Sequence, residues 1–136
     1  MKLNDNSSPL GSAKPGSCKI LVVDDNQDFR DSLHHILWQS GHEVFDASDG
    51  REALDLLGKT RVDVVATDIL MPNLDGLQTI AEIRTRWPKV KVIAFSGGGY
   101  CEAGMYTDLS LKLGASCALE KPFTVHQILQ AINGVS

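Results

Sequence analysis

The run Ile20-Leu21-Val22-Val23-Asp24-Asp25 joins four consecutive aliphatic residues to two adjacent carboxylates. A continuous apolar run of this length suits a strand covered on both faces, because a strand with one wet face alternates polar and apolar positions. The two aspartates then stand where the chain leaves the strand. The same arrangement recurs down the chain. Val62 to Thr67 leads into Asp68, Val90 to Phe95 leads into Ser96, and the short Cys117-Ala118-Leu119 leads toward Lys121-Pro122. Val44-Phe45-Asp46-Ala47 is a more polar strand; Glu43, Asp46 and Ser48 mark it as an edge.

Segments of helical period separate these five strands. Phe29, Leu33, Ile36 and Leu37 fall at i, i+4, i+7 and i+8, one stripe on a helix that Gly41 can end as a left-handed cap. A second helix starts at Asp49, with Glu52 three residues on as an acidic variant of the capping box, and buries Ala53, Leu56 and Leu57. A third carries Leu77, Ile80, Ile83 and Trp87 and must stop by Pro88; the last carries Val125, Ile128, Leu129 and Ile132. The fourth, within Tyr100 to Leu113, is expected to begin late, because Gly97-Gly98-Gly99 and Gly104 each cost about 1 kcal/mol inside a helix. Alternating strands and helices predict an α/β fold, a parallel sheet with helices on both faces. Residues 1–17, rich in Ser, Gly, Pro, Asn and Lys, read as a disordered tail, leaving residues 18–136 as one domain.

Composition narrows the function. The chain has 136 residues, 43% hydrophobic and 22% charged, with a net charge of -4, so it is a globular domain without the basic surface that direct nucleic-acid binding needs. No apolar stretch is long enough to span a membrane and Met1 to Asp5 lacks a signal-peptide pattern, which predicts a cytoplasmic protein with no membrane contact. The three cysteines, Cys18, Cys101 and Cys117, have no metal-ligand spacing and are expected to be reduced thiols in or beside the core.

In open sheets of this kind ligands bind beyond the carboxyl ends of the strands. Asp24, Asp25, Asp68, Ser96 and Lys121 all converge there. Two unit charges about 4 Å apart repel by about 4 kcal/mol at an effective dielectric of 20, so three clustered carboxylates require a counter-charge. Lys121 supplies one positive charge; a hard divalent cation supplies two more, and Mg²⁺ takes one or two carboxylates together with waters and a phosphate oxygen. The set is suited to metal-assisted phosphoryl transfer. Taken singly, Asp68 could be a turn aspartate, Asp25 a cap for the helix entered at Asn26-Gln27-Asp28, and Lys121 a solvated lysine.

From Lys19 to Asn133 the sequence resembles the receiver domains of two-component response regulators, through Leu21-Val22-Val23-Asp24-Asp25, Asp68-Ile69-Leu70-Met71-Pro72-Asn73-Leu74-Asp75-Gly76, Ser96, and Lys121-Pro122-Phe123. The resemblance implies a flavodoxin-like, CheY-like sheet of strand order 2-1-3-4-5. It also implies roles. Asp68 is the phosphoacceptor, taking a phosphoryl group from a histidine kinase or histidine phosphotransfer protein. Asp24, Asp25, Asp68 and the Leu70 backbone carbonyl hold Mg²⁺, with Mn²⁺ as a substitute, while Lys121 and the Ser96 hydroxyl contact the phosphoryl oxygens. Lys121-Pro122 is expected to be cis. Met71-Pro72 and Asp75-Gly76 shape the turn into the third helix. Such a domain is not an enzyme in the ordinary sense; it catalyses only its own phosphorylation and dephosphorylation. The implied output is an unknown downstream protein contacted through the fourth helix, fifth strand and fifth helix. The chain is expected to be a monomer or weak dimer, and either a stand-alone receiver or a piece of a longer regulator.

One position departs from the family pattern: Ala118 stands where a Tyr or Phe three residues before the lysine is usual, and Tyr100 is a candidate replacement. Two other readings compete. A phosphatase of the haloacid-dehalogenase kind would need a second carboxylate two residues after the nucleophile, where this chain has Leu70. A degenerate receiver would keep the fold as a phosphorylation-independent interaction module. His34, His35, His42 and His126 lack the surroundings of a phosphohistidine site and read as surface or half-buried helix residues.

Overall fold

The computed structural model describes residues 17–69, 76–97 and 105–135. The expectations for residues 1–16 and for Leu70, Met71, Pro72, Asp75, Gly98, Gly99, Tyr100, Cys101 and Gly104 lie outside these. Ten elements alternate: β1 Lys19–Val23, α1 Gln27–Gln39, β2 Glu43–Ala47, α2 Gly50–Leu57, β3 Val64–Asp68, α3 Gly76–Arg86, β4 Lys91–Gly97, α4 Met105–Leu113, β5 Cys117–Lys121 and α5 Val125–Val135. The strands form one parallel sheet of order β2-β1-β3-β4-β5, so β2 is an edge strand as its polar residues implied.

Every residue of β3 and the apolar residues of β1 are buried. Successive side chains point to opposite faces, and they sort into two clusters. Leu21, Val23 and Val65 join Ala53, Leu57, Ile80 and Ile83 beneath α2 and α3. Ile20, Val22, Ile93 and Phe95 join Leu33, Leu37, Ile128 and Ile132 beneath α1 and α5. Full burial of one Leu, Ile or Phe contributes roughly 1.5–3 kcal/mol. An exposed pair such as Arg86–Glu82, at 3.9 Å, contributes roughly 0.2–1 kcal/mol, so these two layers hold the sheet.

The helix ends follow local chemistry. Asn26, not Asp25, caps α1: its side chain accepts from the Phe29 N–H at 3.0 Å. The alternative reading of Asp25 as the cap is thereby set aside, because Asp25 lies one residue before the capping position. Gly41 has φ 98° and its N–H donates to the Trp38 carbonyl, the left-handed stop expected for α1. Asp49 caps α2 by accepting from Glu52 N–H at 2.8 Å, while the Glu52 carboxylate accepts from Ser48 N–H. At α5, Thr124 and Gln127 form a reciprocal capping box that the sequence displays as T-x-x-Q. Val125, expected on the buried stripe of α5, is the first residue of that helix and is 50% exposed.

Strand ends differ from expectation by one or two residues. β3 begins at Val64 rather than Val62, and Asp68, Ser96 and Lys121 are last or near-last strand residues rather than residues beyond the strands. The ladders explain this: Asp68 pairs with Phe95, Ser96 with Glu120 and Gly97 with Lys121, so backbone pairing runs through the polar positions.

Candidate functional site

Asp24 is the first residue past β1, and its N–H donates to the Ala47 carbonyl at the end of β2. It is wholly buried, and each of its polar groups has a partner. Oδ1 accepts from the Asn26 N–H at 2.9 Å, Oδ2 from Lys121 Nζ at 2.7 Å, and the backbone carbonyl from Arg30 Nη1 at 2.7 Å. Asp25 is exposed, at the solvent side of the same carboxylate cluster. Asp68, two strands into the sheet, is 8% exposed, and Lys121 Nζ lies 3.5 Å from its Oδ2. Oxygens of Asp24, Asp25 and Asp68 all lie within 4.8 Å of one another.

The backbone around Asp68 is held on several sides. Thr67 Oγ1 donates to the Asp68 carbonyl at 3.0 Å, Ile69 N–H donates to the Phe95 carbonyl, and Gly76 N–H donates to the Ile69 carbonyl at 2.8 Å. Gly76 packs so closely that a Cβ would overlap the Asp68 carbonyl oxygen and Ile69 Cα, which is why only glycine fits there. Ser96 lies on the neighbouring strand and is buried. Lys121 ends β5, and the Lys121–Pro122 peptide is cis, as expected.

The sheet order thus brings Asp24, Asp25, Asp68, Ser96 and Lys121 to one edge. The donor set is all oxygen, with three carboxylates against one ammonium, and suits a hard divalent cation such as Mg²⁺. Three residues of this edge escaped the sequence reading. Arg30 holds the Asp24 carbonyl, Thr67 holds that of Asp68, and Asn26 fixes the turn between Asp24 and α1. Asn26 alone carried a signal, as a capping residue type directly before a helical stripe. A groove of about 1060 Å³ lies at the opposite end of the sheet beside Lys59, Arg61, Asp63 and Trp87. Phosphoryl chemistry at a strand edge requires no such volume.

His34 lies 2.8 Å from Asp46, tying α1 to β2, and His42 is buried; neither belongs to the carboxylate edge. Cys18 is a buried cysteine and Cys117 a half-buried one, neither of them in a disulfide. Ala118 sits opposite Ala94 and packs against the α2–α3 layer. No described helix is long and apolar enough to cross a membrane.

Fold and site together define a doubly wound domain with an acidic strand-end site. Residues 20–133 match the response regulator receiver domain family, and the chain belongs to that family, the signalling modules of two-component systems. It is 36% identical over 115 residues to the chemotaxis protein CheY of Listeria monocytogenes, covering 84% of this chain and 94% of that one. It is 36% identical over 111 residues to the response regulator MprA of Mycolicibacterium vanbaalenii, covering 82% of this chain but only 47% of MprA, so it spans about half of that relative. Sporulation initiation phosphotransferase F of Bacillus subtilis is 32% identical, with 84% and 90% covered. Among solved structures, CheY4 of Vibrio cholerae superposes with a TM-score of 0.79 at 29% identity, covering 88% of this chain and 99% of that one.

Proposed function

We propose that this domain is a phosphorylation switch in which Asp68 accepts a phosphoryl group from a phosphohistidine of a histidine kinase or phosphotransfer protein. The observation that carries the reading is the pairing of three clustered carboxylates with Lys121 Nζ, 2.7 Å from Asp24 and 3.5 Å from Asp68. A carboxylate oxygen of Asp68 attacks phosphorus as the phosphorus–nitrogen bond breaks, and the electron pair of that bond leaves on the imidazole nitrogen. Negative charge spreads over three equatorial oxygens in the transition state. Lys121 neutralises one of them, and the Ser96 hydroxyl donates to another. Asp24, Asp25, Asp68 and the Leu70 carbonyl would hold Mg²⁺, or Mn²⁺ in its place, which when bound supplies positive charge to the transferring group. Buried and fixed by four partners, Asp24 is pre-organised to present its carboxylate without reorganisation.

The phosphorylated domain then acts on a downstream protein in the cytoplasm through α4, β5 and α5. Leu109 and Leu113, one turn apart on α4, and Val125 on α5 are large exposed apolar residues, which supports an output surface on these elements. The test is incubation with acetyl phosphate or phosphoramidate, with and without Mg²⁺, read by intact mass. A Mg²⁺-dependent single phosphoryl adduct, absent in Asp68→Asn, is expected. No adduct from small donors or a histidine kinase would instead identify a phosphorylation-independent interaction module.

A further inference from the structure

Phe29 presents the face of its ring to the Lys121 ammonium, with Nζ 3.9 Å from the ring centroid. That is within the range at which a cation is held by an aromatic quadrupole. The ring is itself fixed. It stands edge-on to Phe123 at 5.8 Å and 85°, and to Phe95 at 6.0 Å and 74°, while Phe95 and Phe123 pack on each other at 4.9 Å. Its backbone N–H is pinned by the Asn26 cap. Its place on the apolar stripe of α1 predicts only burial, yet its ring faces a charge.

From this geometry we infer that Phe29 is a positioning residue for Lys121, an aromatic seat that holds the ammonium between Asp24 and Asp68. The inference rests on the proposed phosphoacceptor function. Lysine is a point charge on a flexible four-carbon stem, and carboxylates on one side cannot by themselves stop it from swinging toward water. With the side chain only 22% exposed, the ring replaces solvent on the remaining side of Nζ. Because Lys121 contributes to transfer only if it meets the charge that develops on the phosphoryl oxygens, a loosened ammonium slows the chemical step. The other two rings come from β4 and from the loop after β5, so the seat is assembled from three separate parts of the chain.

The test compares Phe29→Leu and Phe29→Met, which keep an apolar side chain without a ring face, with Phe29→Tyr, which keeps the face. Each is made in wild type and in Lys121→Met, with urea unfolding to verify folding. Phosphorylation by acetyl phosphate with Mg²⁺ is expected to be about tenfold slower in the Leu and Met variants, from the loss of a partly desolvated cation–π contact. The Tyr variant should stay near wild type, and Phe29→Leu should add no further loss once Lys121 is Met. In parallel, NMR should show Lys121 ε-methylene protons shifted upfield by the ring in wild type and Phe29→Tyr, and not in Phe29→Leu. A wild-type rate in folded Phe29→Leu and Phe29→Met, an equal slowing in Phe29→Tyr, a further loss in Lys121→Met, or an upfield shift that survives Phe29→Leu would each overturn the inference. Should wild type itself take no phosphoryl group, the phosphoacceptor reading fails, and the NMR arm alone decides whether Phe29 seats Lys121.

Discussion

The backbone N–H of Cys18 donates to Nδ1 of His42 across 3.0 Å, joining the start of β1 to the loop that enters β2. An N–H can donate only to an unprotonated ring nitrogen, so this hydrogen bond fixes a neutral imidazole with its proton on Nε2. His42 is 7% exposed, and burial holds its pKa below the ordinary 6.5. Above pH 6.5 the ring is neutral in folded and unfolded chains alike, and its full contribution to stability is present. As pH falls below 6.5 the unfolded chain takes up a proton that the folded one resists, and stability declines until the lowered folded pKa is passed. Urea midpoints at pH 7.5 and 5.5 should show this loss in wild type and a smaller one in His42→Asn, whose amide oxygen can still accept from Cys18.

Lys121 and a divalent cation compete for the same carboxylates. Lys121→Met removes one positive charge from a site with three negative ones, so Mg²⁺ affinity should rise while phosphorylation slows. Without the cation the variant should lose about 2–3 kcal/mol. A fully buried pair broken on one side costs about 3–5 kcal/mol, but this lysine is partly solvated. Mg²⁺ at ten times its Kd should restore about 1.4 kcal/mol. Thermal melts with and without Mg²⁺ measure both effects; Mg²⁺ affinity unchanged or weakened would contradict the electrostatic account.

Exposed Asp25 offers the complementary case. Asp25→Ala should leave metal-free stability within about 0.5 kcal/mol, as surface substitutions usually do, because Asn26 rather than Asp25 caps α1. The same change should abolish most of the Mg²⁺-dependent rise in melting temperature. Loss of stability without metal would show that Asp25 has a structural duty its exposure does not suggest.

Gly76→Ala should be costly in two ways. The new methyl meets the Asp68 carbonyl and Ile69 Cα, which are backbone atoms and cannot rotate away. Overpacking of this kind costs about 1–3 kcal/mol, and here relief requires moving the backbone of Asp68 itself. Phosphorylation should therefore fall more than stability does, measured against a core variant of equal urea midpoint.

Thr124→Ala separates helix stability from chemistry. It removes the hydroxyl that accepts from the Gln127 N–H at 3.0 Å and should cost about 1 kcal/mol. Phosphorylation of the folded protein should be unchanged, since the cap's hydrogen bonds join Thr124 and Gln127 to each other.

The alternation of apolar runs with helical stripes was enough to specify five strands, five helices and a sheet covered on both faces, because a period is a local property of the chain. The same holds for the stops at Gly41 and before Pro88, and for Asp24, Asp25, Asp68, Ser96 and Lys121 as a set, since each lies at a strand end. Tertiary structure decided what depends on packing between distant segments. Ladder pairing carried β3, β4 and β5 through Asp68, Ser96 and Lys121, which look like loop residues when only apolar side chains are counted. Arg30 on the Asp24 carbonyl, the Cys18–His42 bond and the ring of Phe29 beneath Lys121 join residues whose partners no local pattern specifies. A helical stripe shows that Phe29 turns inward, but only the assembled sheet, with β5 brought beside β4 and α1 laid across the same face, determines that it meets a charge there.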